Sequence, residues 1–160
     1  MLSLESERTL QPSILPKGSA HVNGIVSILD LEEEDLLTLT GLLSSIPYDF
    51  LVKTIGSTNL TGSRIKGLPF PNLKGLKEVL INRVKKLNCI GPHFQELLNG
   101  GSFTSDNWSK TDSRLEIFQN NTFFKNYFTR RQALVEIDVI VSISLGMELE
   151  DLIDIYRIQF

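Results

Sequence analysis

Apolar residues recur at helical spacing through much of the chain. Leu36, Leu39, Leu43 and Ile46 fall three or four apart, which predicts a helix from about Leu31 to Ser45 with Asp30 as its cap and Glu32–Glu34 at its positive end. Pro47 opens a second short helix through Phe50 and Val52. Leu76, Val79, Leu80, Val84 and Leu87 form one face of a helix over about Gly75–Asn88, with Lys77, Lys85 and Lys86 mostly off that face. Pro92–Leu98 reads as another short helix, closed by Gly100 and Gly101. Thr129 and Gln132 fit a capping box for a helix that is apolar nearly all round and stops at Gly146. Its Glu136 and Asp138 need partners if buried, and Arg131 and Arg157 are the candidates. A last helix covers about Leu149–Ile158, with Met147-Glu148 as a weak cap.

Two stretches break the helical rhythm. Val22–Leu29 is rich in β-branched residues and predicts a strand, and Gly67–Phe70 is extended because proline follows. Gly56–Gly67 is loop-like. The expected fold is therefore mostly α with a small β component, a compact helical α+β domain with a short strand pair. A chain of 160 residues with 41% hydrophobic content suits one such domain. Residues 1–20, with Pro12, Pro16 and Gly18, form a loose lead-in, and residues 21–160 form the domain. Within it, 101–127 is a polar excursion held by Phe103, Trp108, Leu115 and Phe118, and 128–160 is a C-terminal helical pair.

Charge changes this picture. The net value of -3 hides a segment, Leu51–Ile90, where Lys53, Arg64, Lys66, Lys74, Lys77, Arg83, Lys85 and Lys86 face the lone acid Glu78, giving +7. Acids gather instead at Asp30–Asp35 and through the C-terminal third. A localised basic stripe points to a polyanion-facing surface, and the plain alternative is a helix with a solvated lysine face. No apolar run is long enough for a transmembrane helix, and Glu5, Glu7 and Arg8 sit where a signal peptide would be apolar. A single cysteine excludes a disulfide scaffold, and the expected setting is a reducing cytoplasm.

Catalytic chemistry finds little purchase. Two histidines and one cysteine fall short of a zinc site, even though Cys89 and His93 are four apart. Cys89 reads as a buried structural thiol, and His93 as a capping or core histidine. Neither a phosphate-loop spacing nor a nucleophile elbow is present. Glu150 with Asp154 and Glu148 with Asp151 read as a solvated face, and the acid-rich stretches lack the nearby lysines of a metal nuclease. No cofactor is expected.

Several blocks carry a resemblance. They are Ile46-Pro47-Tyr48-Asp49-Phe50-Leu51-Val52-Lys53, then Asn59-Leu60, Gly67-Leu68-Pro69-Phe70-Pro71, Asn82–Cys89 and His93-Phe94. Toward the end come Arg130–Asp138, Leu145-Gly146, Leu152 and Ile155–Phe160. In order and spacing these blocks resemble the C-terminal target-recognition and tail region of type IIG restriction–modification enzymes, which are adenine-specific DNA methylases, and of related phage-defence methylases. The resemblance covers most of residues 40–160. The chain has no Asn-Pro-Pro-Tyr or Asp-Pro-Pro-Tyr motif and no glycine-rich cofactor loop, so methyl transfer is not expected of it. It stops at Phe160 where the family usually runs on, as a split gene product, a relic or an expressed fragment would.

The resemblance implies a non-catalytic specificity fragment that binds double-stranded DNA, with residues 21–100 as the DNA-facing part. Lys53, Arg64, Lys66, Lys74 and Lys77 would contact phosphates, with Lys85 and Lys86 on the same basic segment, while Ser57, Asn59 and Thr61 would reach base edges. Arg64 could instead pair with guanine. The alternative is a helical docking or scaffold piece that binds a methylase or nuclease partner polypeptide.

Overall fold

The computed structural model describes residues 6–22, 24–56, 59–99 and 126–160, and helices are the regular elements among them. They are α1 (Glu33–Ser44), α2 (Ile46–Thr54), α3 (Gly62–Lys66), α4 (Lys77–Asn88), α5 (Gln95–Asn99), α6 (Tyr127–Leu145) and α7 (Leu149–Gln159). Short 3-10 turns at Lys74–Leu76 and Pro92–Phe94 lead into α4 and α5. The expected excursion, with Phe103, Trp108, Leu115 and Phe118, lies outside the described residues.

Helices α1, α4 and α6 pack against one another, and α2 lies against α7 and α6. Leu37 and Leu42 of α1, Leu80 and Val84 of α4, and Ile137, Ile140 and Val141 of α6 are almost wholly withdrawn from water. Each such side chain contributes about 1.5–3 kcal/mol of transfer free energy. α1 and α4 meet at Gly41, where a Cβ would stand 2.8 Å from Leu80 Cδ1. The acids Glu33, Glu34 and Asp35 occupy the first turn of α1, at the positive end of its dipole.

The expected strand pair is not there: no strand occurs among the described residues, and the fold is helical rather than α+β. Val22 and Leu29 are 77% and 76% exposed, so their branched side chains have no sheet to pack on. β-propensity reflects such packing more than an intrinsic backbone preference. The second run fails because Gly67 ends α3, and Pro69 and Pro71 have no N–H to give a ladder. Tyr48 instead donates its hydroxyl to the Pro69 carbonyl.

Residues 6–14 of the expected lead-in lie along the helices as a strap. Leu10 and Ile14 belong to the core. Two buried aspartates tie the strap down. Asp138 of α6 accepts two hydrogen bonds from Arg8, at 3.1 and 2.7 Å, one from the Ile46 backbone N–H at 2.8 Å, and one from the Tyr156 hydroxyl at 2.5 Å. Asp49 of α2 accepts from the Leu10 N–H at 2.6 Å and from Gln159 Nε2 at 2.5 Å. The partners expected from sequence are thus replaced. Arg8 serves Asp138, Arg83 serves Glu136 at 2.6 Å, Arg131 meets Glu7, and Arg157 meets Asp154.

Three helix starts also differ. α1 begins at Glu33 after Glu32, and Asp30 takes a left-handed φ of 59° rather than capping. α6 begins three residues early, with the Asn126 side chain accepting from the Thr129 N–H at 2.8 Å, so Thr129 sits inside the first turn. α7 has the capping box that Met147-Glu148 did not suggest: Glu148 and Asp151 each accept from the other's backbone N–H.

Candidate nucleic-acid interface

The basic segment folds so that much of its charge is spent inside the molecule. Lys53, on the last turn of α2, places Nζ 3.1 Å from Asp49 and donates to the Ser6 carbonyl at 3.0 Å, which fastens the strap. Lys77 pairs with Glu34 of α1. The Lys85 side chain is 5% exposed and donates to Glu33 at 2.9 Å. Lys86 is half-buried and already engaged. Arg83, fully inside, bridges α4 to α6 through Glu136 and donates to its own helix at the Val79 carbonyl. The lysine face of α4 is therefore an inter-helix seam.

Arg64, Lys66 and Lys74 behave differently. All three are exposed, and among the described residues none of their side chains meets an acid. Arg64 and Lys66 ride on α3, a short helix that the sequence reads as loop, and Lys74 starts the turn before α4 with a φ of 48°. No acidic residue lies between Lys53 and Glu78, so this connection keeps a local charge of one sign. Thr61 precedes α3, and its hydroxyl is hydrogen-bonded to Ser63 Oγ at 3.0 Å. Asn59 is exposed and has an interaction of its own. Ser57 lies outside the described residues. Of the ten residues selected from sequence, the structure leaves Arg64, Lys66 and Lys74 as outward cations.

The remaining chemistry is structural. Cys89 is fully buried, and burial pushes its thiol up to about 11, with Glu33 adding to the rise and Lys85 opposing it. A thiol so protonated is a poor nucleophile near neutrality. His93 is exposed on its 3-10 turn rather than set in the core. Among the described residues no group of three His, Cys, Asp or Glu side chains could hold a metal ion, and no helix is long and apolar enough to cross a membrane.

One cluster escaped the sequence reading. The strap brings Glu7 and Arg8 against Tyr127, Arg130 and Arg131 at the start of α6, around an open cleft. The aromatic–basic run Tyr127–Arg131 is visible in the sequence, but only the strap completes the cleft. Compared with protein-family models, with curated proteins and with solved structures, the chain matches none of them.

Proposed function

We propose that the chain is a non-catalytic, cytoplasmic, DNA-facing piece of a methylase of the restriction–modification or phage-defence kind. The observation that carries this reading is the acid-free connection bearing Arg64, Lys66 and Lys74, three exposed cations on a molecule that pairs most of its other described basic residues with acids of its own. They would position the chain on the phosphate backbone, with Asn59 of the same connection as the amide suited to adenine. A catalytic polypeptide would supply the cofactor chemistry.

The test is duplex binding followed by fluorescence anisotropy in two salt concentrations. Non-specific affinity of about 10⁻⁴ to 10⁻⁶ M is expected, and three phosphate contacts predict a fall of about 40-fold between roughly 50 and 200 mM salt. The R64A/K66A/K74A variant should lose that slope. Binding that ignores salt, or that survives the triple substitution, overturns the reading.

A second reading, docking onto a methylase or nuclease partner polypeptide, is favoured by exposed apolar residues of the C-terminal helical pair. Phe128, Leu149 and Ile158 are 70%, 67% and 71% exposed, and Phe160 follows them. Co-expression with a methylase that lacks such a tail should then raise the yield of a stable complex, and L149E/I158E should abolish it. A monodisperse chain indifferent to that partner rules the docking out.

A further inference from the structure

The cleft at the start of α6 uses none of the residues assigned to the duplex-facing connection. Glu7 and Arg8 of the strap face Tyr127, Arg130, Arg131 and Leu134 across an open space of about 370 Å³. Arg8 is turned inward onto Asp138, and Arg130 is fixed by donation to the Leu87 carbonyl at 2.9 Å. Arg131, half-exposed, donates through Nη1 to Glu7 Oε1 at 2.8 Å and to the Tyr127 hydroxyl at 3.4 Å. The cleft thus already holds one anion on a guanidinium, supplied by the chain itself. That pair is open to water on both sides, and exposed pairs of this kind are weak enough to exchange. A phosphate offers the same fork more charge and bidentate geometry. Beside it the Tyr127 ring is 75% exposed, an open aromatic face next to two arginines. Exposed aromatic faces beside cations are how proteins hold an unstacked base with its phosphate.

We infer that this cleft binds a nucleotide phosphate, with the Glu7 carboxylate as its displaceable internal substitute and Tyr127 as the platform for the base. The phosphate belongs either to a free nucleotide or to an unpaired strand end. Arg131 makes the primary contact, Arg130 and Arg8 bias the cleft toward anions, and Glu7 lowers affinity by competing for Arg131.

Calorimetric titration of the full chain tests this with three probes: inorganic phosphate, deoxyadenosine monophosphate, and a short single-stranded oligodeoxynucleotide carrying a 5′-phosphate. Deoxyadenosine monophosphate should bind roughly tenfold or more tighter than phosphate, the increment of one stacked base. Tyr127→Ala should bring it down to the phosphate level. Arg131→Ala should remove binding, and Arg131→Lys, which keeps the charge but not the fork, should recover only part of it. Glu7→Gln should tighten binding a few-fold, since it frees the guanidinium. All these side chains are exposed, so an unchanged melting temperature shows that each variant folds. Tighter binding of the oligonucleotide identifies a strand end as the source, and equal or weaker binding identifies a free nucleotide. The inference is overturned if deoxyadenosine monophosphate does not bind, if Arg131→Ala leaves its binding intact, or if Glu7→Gln fails to tighten it. Retention of mononucleotide binding by R64A/K66A/K74A separates this site from the duplex-facing connection.

Discussion

Asp138 shows what single residues do in this fold. A carboxylate out of reach of water must be fully paired, and Arg8, the Ile46 N–H and the Tyr156 hydroxyl together meet that requirement. Asp138→Ala removes the counter-charge of Arg8, which keeps only the Ser44 carbonyl, and leaves the Ile46 N–H and the Tyr156 hydroxyl without their acceptor, so it should cost about 3–5 kcal/mol in urea unfolding. Removing an exposed pair, as in Arg131→Ala, should leave the urea midpoint almost unchanged. Equal losses in the two variants would mean that the Asp138 network contributes no more than a surface pair. Buried acids also set the alkaline limit. Burial pushes the Cys89 thiol from 9.0 to about 11 and the Tyr48 phenol from 10.0 to about 12. Tyr156 also rises, first by burial and then through the Asp138 charge and hydrogen bond. Each group stays protonated in the fold while the unfolded chain ionises, so its contribution is complete below the unfolded value and is lost as pH rises through the folded one. The urea midpoint should hold to about pH 9 and then fall, with Cys89 dominating between about 9 and 10 and Tyr48 and Tyr156 adding to the decline above about 10. Cys89→Ala should flatten that first part of the decline, and an unaltered slope in the variant would remove Cys89 from the account.

At the scale of elements, the contact of α1 with α4 is decided by Gly41. Alanine would gain about 1 kcal/mol of helix propensity there. Its Cβ would stand 2.8 Å from Leu80 Cγ, and Leu80 is fully buried and cannot swing aside. Overpacking of this kind costs about 1–3 kcal/mol, so Gly41→Ala should destabilise on balance, by lowering the urea midpoint without changing the slope. A stabilised variant would show that the two helices separate freely. Most helices were legible because their signals are local. Spaced leucines mark α1, Pro47 opens α2, the Leu76–Leu87 stripe marks α4, and Gly146 takes the left-handed φ of 74° that stops α6. Features that depend on distant neighbours were not legible. Val22–Leu29 has the composition of a strand, but pairing needs a second strand, and the described residues offer only a proline-broken run. α3 was missed because five residues carry too little periodicity to register. Thr129 and Gln132 have capping-box spacing, yet Asn126 caps the turn before Thr129 and Gln132 reaches forward to Glu136. The candidate site divides the same way. The basic residues could be counted from the sequence, and the Lys53–Asp49 pair is local to α2, but which of the others Glu33, Glu34 and Glu136 would claim depended on the packing of α4 against α1 and α6.

For the whole molecule, that division gives one set of charges two separate roles. Four of the eight cations in the +7 segment, Lys53, Lys77, Arg83 and Lys85, pair with acids that lie outside it. The alternation of acidic and basic stretches along the chain therefore does structural work, drawing α4 onto α1 and α6 and holding the strap to α2. Arg64, Lys66 and Lys74 remain outside this arrangement, on the acid-free connection between α2 and α4. Salt should distinguish the two populations. The pairs of Arg8, Lys53, Arg83 and Lys85 each have at least one partner nearly sealed from solvent, where mobile ions screen little. The exposed pairs Lys77–Glu34, Arg131–Glu7 and Arg157–Asp154 are screened but contribute little at the outset. Unfolding free energy should therefore move by less than about 1 kcal/mol between roughly 50 and 200 mM salt. Over the same interval the proposed duplex affinity should fall about 40-fold, because it depends on cations that face solvent. A urea midpoint that drops steeply with salt would place the structural pairs at the surface, and would leave no physical distinction between the charges that fold the chain and those proposed to meet DNA.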